Sequence, residues 1–84
     1  MHAIRNAHVT TRDIAVLVDV YKCRYLSVSQ IKALHFPSKQ TAWKRLQALT
    51  ALRYLKAFTV PGIPERIYYL DHNGAEMLAD EMQV

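Results

Sequence analysis

Cysteine, glycine and long apolar runs are all scarce in this chain of 84 residues, and each scarcity excludes a class of protein. The single cysteine, Cys23, cannot form an internal disulfide, so packing alone has to stabilise the fold. Two glycines, Gly62 and Gly74, are too few for a glycine-rich phosphate-binding loop. No apolar run approaches the roughly 20 residues that span a bilayer, and the N-terminal stretch lacks the apolar core of a signal peptide. We therefore expect one cytoplasmic domain without a membrane segment.

The chain also lacks the residue patterns of a metal centre or a catalytic site. Its four histidines are widely spread, at positions His2, His8, His35 and His72, and none has a Cys or His neighbour at metal-ligand spacing. Cys23 lies on an apolar strip of a predicted helix, which favours a small buried hydrophobe over a nucleophile. We therefore expect no metal, no cofactor, no small-molecule substrate and no enzymatic activity.

Positive charge is concentrated in residues 1–70. They contain all 11 Lys and Arg side chains and three acids, whereas residues 71–84 contain four acids and no Lys or Arg. The whole chain is 51% hydrophobic and 21% charged, with a formal net charge of +4, which is the composition of a folded basic domain. This distribution suits a polyanionic partner. Charge alone leaves an ordinary basic surface as the alternative.

One segment, residues 38–52, predicts an amphipathic helix with a buried side and a polar side. At about 100° per residue, Ala42, Leu46 and Leu49 fall on one narrow face. Ser38 is placed to cap the first turn. Arg45 lies beside the buried stripe, where it either faces the partner or pairs with an acid such as Asp13 or Asp19. The segment therefore has the pattern of a recognition helix for DNA.

The polar side of this helix carries side chains that suit DNA. Gln40, Lys44 and Gln47 point outward one turn apart and can meet base edges, and the first turn can meet phosphate. Trp43 either packs on the DNA or supports the β hairpin that follows, and any one charge can instead be a solvated side chain. The residues assigned to a DNA interface are Ser38, Lys39, Gln40, Thr41, Trp43, Lys44, Gln47, Lys56 and Arg66.

The first helix carries two apolar strips. Thr10 and Asp13 predict its capped start, and Leu26 its end. The strip expected in the core contains Ile14, Leu17, Val18, Tyr21 and Tyr25. The second strip contains Val16, Val20 and Cys23. We expect this second strip either to form a homodimer interface or to lie under the C-terminal helix.

The rest of the chain predicts a second short helix, a hairpin and a last helix. The second helix covers about residues 28–35, with Ser27 and Gln30 as its capping box and with Val28, Ile31 and Leu34 facing inward. The apolar period then changes to 2 over residues 54–60 and 65–70, which predicts two strands joined at residues 61–64. From Asp71 to about Met82 a final helix is expected, with Ala75, Leu78 and Met82 on its apolar face.

This order of elements predicts an α+β, mainly α, winged helix-turn-helix with three helices, a two-stranded β wing and a C-terminal helix. Residues 1–9 are expected to form a flexible basic arm, and residues 10–84 a single DNA-binding domain. Lys56 and Arg66 then flank the wing, where they can clamp phosphate.

Several motifs also resemble those of a known family. They are Arg12-Asp13-Ile14-Ala15-Val16-Leu17, Tyr25-Leu26-Ser27-Val28-Ser29-Gln30-Ile31, Leu34-His35-Phe36-Pro37-Ser38, Lys44-Arg45-Leu46-Gln47-Ala48-Leu49, and Ile67-Tyr68-Tyr69-Leu70 before Gly74-Ala75. On these motifs, residues 12–79 resemble the replication-relaxation proteins of plasmids and mobile elements. The resemblance implies a winged helix that binds DNA in plasmid replication or its control. Such proteins usually carry glycine where the third helix meets the wing, and this chain has Arg53 there.

We expect double-stranded DNA binding, in replication control or in transcriptional regulation. The alternative is a winged-helix module that binds another protein of a replication or regulatory complex. Its surfaces would be the second strip of the first helix and the acidic final helix. Steep weakening by salt would favour the first function, and tolerance of salt the second.

Overall fold

The structure is a computed structural model that describes residues 9–82, with side chains for residues 9–80. Over these residues the chain forms a winged helix of four helices and three strands. The elements in order are α1 (Thr11–Cys23), β1 (Leu26–Ser27), α2 (Val28–His35), α3 (Lys39–Ala51), β2 (Leu55–Val60), β3 (Ile63–Leu70) and α4 (His72–Met82). The predicted fold class is confirmed. Of the arm predicted for residues 1–9, residues 1–8 lie outside the described residues, and Val9 is buried in the core.

Side-chain caps begin the first three helices where the sequence predicts them. The Thr10 hydroxyl accepts a hydrogen bond from the Asp13 amide at 3.1 Å, and Asp13 Oδ2 accepts one from the Thr10 amide at 2.9 Å. Ser27 and Gln30 form the same reciprocal pair at the start of α2. Ser38 Oγ accepts from the Thr41 amide at 3.1 Å and so caps α3. Each cap satisfies amides that have no partner within the helix.

The sheet has three antiparallel strands in the order β1-β3-β2, one more than the sequence predicts. The additional strand is β1, in which Leu26 pairs with Tyr68. The prediction that α1 ends at Leu26 is therefore wrong. The helix ends at Cys23, where Arg24 follows with a φ of +72°. The tip of the hairpin is also tighter than expected, since β3 already begins at Ile63.

The buried face of α1 differs from the predicted one. Val16, Leu17 and Val20 are fully buried, whereas Tyr21 and Tyr25 are 56% and 58% exposed. The difference arises at Asp13. Its charge predicts a solvent-exposed position, but the side chain is completely buried. Positions 13, 16, 17 and 20 have the i, i+3, i+4, i+7 spacing of one helical face. The assignment of Val16 and Val20 to a dimer interface is therefore wrong, because both pack inside their own chain.

Three smaller predictions about burial are also wrong. Cys23, the third residue assigned to the dimer interface, is exposed rather than buried, at the end of α1. Leu34 is 58% exposed, so α2 contributes Val28 and Ile31 to the core but not Leu34. In α4 the buried residues include Met77 and Leu78, whereas Ala75 is exposed.

Gly74 explains how α4 is rotated about its axis. A Cβ atom on Gly74 would lie 2.1 Å from the carbonyl oxygen of Tyr54, so the helix can approach the chain this closely only at a glycine. Met77 and Leu78 follow Gly74 by three and four positions and therefore lie on the same side of α4. Burial of this side leaves Ala75 exposed.

The turn from α3 into β2 contains a residue in the left-handed region. Arg53, at the position where the resemblance to the family implies glycine, has a φ of +65°. The start of α4 holds this turn, since the Asn73 amide donates to the Arg53 carbonyl at 3.1 Å. Asn73 Nδ2 also donates to the Leu52 carbonyl at 3.0 Å. These bonds offset the roughly 1 kcal/mol that a non-glycine residue loses in this conformation.

Candidate nucleic-acid interface

Helix α3 is held from its inner side by apolar packing and by one ion pair. Ala42, Leu46 and Leu49 are fully buried, as predicted. Arg45 donates to Asp13 through Nε, 2.8 Å from Oδ1, and through Nη2, 2.6 Å from Oδ2. This bidentate contact raises the pKa of the Arg45 guanidinium, chiefly through its hydrogen bonds to Asp13. This ion pair ties α3 to α1 and therefore limits rotation of α3.

The pairing of Arg45 resolves one alternative left by the sequence. Its partner is Asp13, and Asp19 instead lies 2.6 Å from Nε2 of His35. Arg45 is therefore a structural residue that orients α3, and the outer face of that helix depends on other side chains.

The outer face of α3 presents an exposed polar surface. Ser38 and Thr41 share a hydrogen bond of 2.9 Å between their hydroxyls in the first turn. Trp43 is the aromatic exception and is 45% exposed. The residues of the predicted interface that are exposed on α3 and its cap are Ser38, Lys39, Gln40, Thr41, Trp43, Lys44 and Gln47. The structure thus brings seven of the nine predicted residues onto one helix.

A groove of about 510 Å³ separates α3 from the wing. Lys39, Gln40 and Trp43 line it from α3, and Pro64, Glu65 and Arg66 line it from β3. The register of the β2–β3 pair shifts between Phe58 and Val60, as at a β-bulge, and Arg66 lies near this shift on β3. Arg66 is exposed and shares the groove with the recognition helix, so this predicted wing residue lies beside the predicted helix residues.

Glu65 fastens the wing to α2, and the sequence analysis did not single it out. Its carboxylate accepts hydrogen bonds from the Ser29 amide, at 3.0 Å, and from the Ser29 hydroxyl. Lys39 Nζ lies 3.8 Å from the same carboxylate. The bonds from Ser29, and then the charge of Lys39, lower the pKa of Glu65. A partner 36 residues away leaves no local pattern that would identify this contact.

A second cleft, of about 610 Å³, lies between the start of α1 and α3. Its lining includes Thr11, Arg12 and Lys44, and the Arg12 guanidinium lies 5.4 Å from the centre of the Phe36 ring. Arg12 is not among the residues that the sequence assigns to the interface. In the structure it extends the basic surface of α3 onto α1.

Comparison with known proteins agrees with this architecture. The family model for replication-relaxation proteins matches residues 17–84. The chain belongs to the replication-relaxation family. It is also similar to the crystal structure of the MepR A103V mutant from a multidrug-resistant S. aureus clinical isolate, with a TM-score of 0.75 and 14% sequence identity. That match covers 98% of this chain and 65% of the other, and at this identity it supports the fold alone. No curated protein sequence gives a significant match.

In this replication-relaxation protein, the predicted site residue Lys56 lies away from the groove beside α3. Lys56 is opposite Tyr69 in the β2–β3 ladder and one position from the buried Leu55. Because side chains alternate across a strand, Lys56 is on the outer face of the sheet. Lys56 is not among the residues that line the groove beside α3, whereas Arg66 is, so the two predicted wing residues lie on different surfaces of the hairpin.

The described residues also bear on a metal site and on a membrane segment. Over residues 9–80 there is no group of three or more Cys, His, Asp or Glu side chains arranged to hold a metal ion. None of the helices in the described part of the chain is long and apolar enough to cross a membrane. A homodimer stays a prediction. The alternative function, binding of another protein, cannot use Val16 and Val20 of α1, because both are buried.

Proposed function

We propose that this protein binds double-stranded DNA through α3 and the β2–β3 wing, in the control of replication or of transcription. The observation that carries the proposal is the division of α3 into a fixed inner side and an exposed polar outer side. Arg45 and three apolar residues hold the helix, while Gln40, Lys44 and Gln47 are free to meet a ligand. The family and the winged-helix fold support this proposal.

Each part of the surface has a distinct role in this proposal. Gln40, Lys44 and Gln47 meet base edges in the major groove, where amides and cations form hydrogen bonds with bases. Lys39 and Arg66, on the two walls of the groove, neutralise phosphates. Arg12 extends this contact along the backbone from the start of α1. Such a protein acts by binding, without an enzymatic step.

The test is a fluorescence-anisotropy titration of a labelled random duplex at salt concentrations of about 50 and 200 mM. We expect wild-type binding to weaken steeply with salt, because phosphate contacts release condensed cations. Lys39→Ala/Lys44→Ala should lose most of the affinity. If its residual binding is measurable, the slope of log K against log salt should be shallower by about 1, because Lys39 is the one of the two assigned to phosphate.

A matched control removes the same charge elsewhere. Lys22→Ala/Lys56→Ala also deletes two lysines, neither of which lines the clefts beside α3. This variant should keep most of the duplex affinity. Equal losses in the two double variants would mean that net charge, rather than α3, determines binding. Absence of wild-type binding at the lower salt concentration would overturn the proposal.

A further inference from the structure

The outer face of the sheet carries most of the exposed aromatic surface. Four aromatic side chains among the described residues are more than a third exposed, and only Trp43 belongs to α3. The other three, Tyr21, Tyr25 and Phe58, lie at or beside the outer face of the sheet. With the half-buried Tyr69 they form what we call the aromatic face. Burial of such rings would stabilise a domain of this size, and an exposed group of them is typical of a binding surface.

Three of these rings form one cluster. The ring centres of Tyr25 and Phe58 are 5.9 Å apart, those of Tyr25 and Tyr69 are 6.1 Å apart, and those of Phe58 and Tyr69 are 5.8 Å apart. The rings contact one another at steep angles and come from the connection between α1 and β1, from β2 and from β3. The cluster is therefore built by the tertiary fold and is held in place from three segments.

Cations surround the aromatic face. Lys56 is directly opposite Tyr69 in the ladder. Lys22 and Arg24 line a cleft of about 500 Å³ together with Tyr21, Tyr25 and Tyr69. Of the described residues that line this cleft, none carries a carboxylate. The face thus combines exposed rings with three positive charges.

We propose that the aromatic face binds single-stranded nucleic acid by stacking unpaired bases on its rings. Each nucleotide offers one flat base and one phosphate, which match the two kinds of group on this face. The bases of a duplex are stacked on one another and cannot reach the rings. A second copy of this chain fits poorly, since a two-fold contact would bring two sets of three cations together.

This site is separate from the proposed duplex surface and does not rest on it. Lys39, Gln40, Lys44 and Gln47 belong to α3, whereas the aromatic face uses the end of α1 and the outer side of the sheet. The two surfaces share no residue. Variants of one surface can therefore be assayed on the ligand of the other.

The probe is a labelled oligothymidylate of about 12 nucleotides, within the usual range of sites on single strands. Tyr25→Ser/Phe58→Thr removes two exposed rings and keeps a β-branched residue in β2. We expect this variant to bind oligothymidylate at least tenfold more weakly, on the order of the loss seen when one stacked base loses its ring. Its duplex affinity should stay within about twofold of wild type.

The matched control is Leu34→Ser, since Leu34 and Tyr25 are each 58% exposed. It should bind oligothymidylate like wild type, and all variants should keep the circular dichroism spectrum of folded protein at the assay temperature. Lys22→Ala/Lys56→Ala should also weaken oligothymidylate binding and reduce its salt dependence. The single tryptophan, Trp43, gives a second signal, because duplex should change its emission and oligothymidylate should not.

Three results would overturn the proposal. The first is wild-type protein that does not bind oligothymidylate at low salt. The second is a loss of oligothymidylate binding in Lys39→Ala/Lys44→Ala that equals the loss in Tyr25→Ser/Phe58→Thr, since a single site on α3 would then serve both ligands. The third is a wild-type dimer, measured by light scattering, that Tyr25→Ser/Phe58→Thr dissociates, since the face would then belong to a second copy.

Discussion

The outer face of α3 and the aromatic face are both basic, but they differ in what accompanies the charge. On α3, Lys39 and Lys44 are interspersed with amides, and Trp43 is the one exposed ring. On the sheet, rings occupy the centre, and Lys22, Arg24 and Lys56 lie around them. Amides beside cations suit paired bases in a groove, whereas rings suit bases that are unpaired. Positive charge alone would not distinguish these ligands.

The two surfaces also differ in what supports them. Helix α3 depends on a bidentate ion pair between Arg45 and the buried Asp13. The sheet is supported by apolar packing, since Leu55 and Tyr68 are almost completely buried beneath it. A change in one support should therefore affect one surface more than the other.

The largest expected effect comes from Asp13→Ala. Asp13 accepts hydrogen bonds from Arg45 and from the Thr10 amide, so the change removes the ion pair with Arg45 and the carboxylate half of the helix cap. We expect the free energy of unfolding, measured by urea denaturation, to fall by about 3 kcal/mol. At temperatures where the variant is folded, duplex affinity should fall more than oligothymidylate affinity.

Asp19→Ala is the matched control for this prediction. Asp19 is a third exposed and pairs with His35 rather than with α3. Its loss should cost about 1 kcal/mol or less and leave both affinities unchanged. If the two variants lose equal stability, Asp13 has no special part in fixing α3.

Arg53→Gly should have a smaller and opposite effect. Glycine adopts the φ of +65° at this position without the steric cost that Arg53 carries. We expect the free energy of unfolding to rise by about 0.5 to 1 kcal/mol, with both affinities unchanged. Arg53→Ala is the control, since alanine keeps the steric cost and should give no gain. A gain of the same size with alanine would show that the turn is not the cause.

Glu65→Gln should have the smallest effect on stability, and it separates stability from binding. The pKa of Glu65 is lowered in the folded protein, so its contribution is complete above about pH 4.5, the ordinary value, and is lost as the pH falls through the lower folded value. Wild type should therefore melt at a higher temperature than the variant at pH 7, and the difference should disappear in acid.

Duplex binding should change in the opposite direction. Removing a negative charge beside Lys39 should strengthen duplex binding about twofold at low salt, with oligothymidylate binding unchanged. The matched control is Glu76→Gln, which removes an exposed carboxylate from α4 that lies beside His72. It should leave duplex affinity unchanged. A melting difference between wild type and Glu65→Gln that is the same at pH 3 and pH 7 would contradict this account of the carboxylate.

Local patterns were sufficient where neighbours in the sequence are also neighbours in space. Three helix starts follow from Thr10, Ser27 and Ser38, because a cap uses amides two or three positions along the chain. The buried stripe of α3 follows from its spacing, since its three buried side chains are all apolar. The resemblance to the family marked Arg53 as a departure from glycine, and the φ of +65° shows that the left-handed turn forms with arginine at this position.

The same reasoning failed for α1 because a charged residue lies inside the core. Asp13 is buried only because Arg45, 32 positions later, supplies its partner. Without that partner the apolar residues of α1 divide into two strips of similar size, and the sequence cannot decide which one is buried. Val16 and Val20 were therefore assigned to an interface between chains, and Tyr21 and Tyr25 to the core.

The sequence by itself determined the order of the four helices and the two hairpin strands, the capped helix starts and the polar face of α3, because each depends on residues within a few positions of one another. Only the tertiary structure decided the rotation of α1 and α4, the bond from Ser29 to Glu65, and the side of the sheet on which Lys56 lies. It also brought Tyr25, Phe58 and Tyr69 together from three segments. These features depend on contacts between distant residues, and a local period contains no information about such contacts.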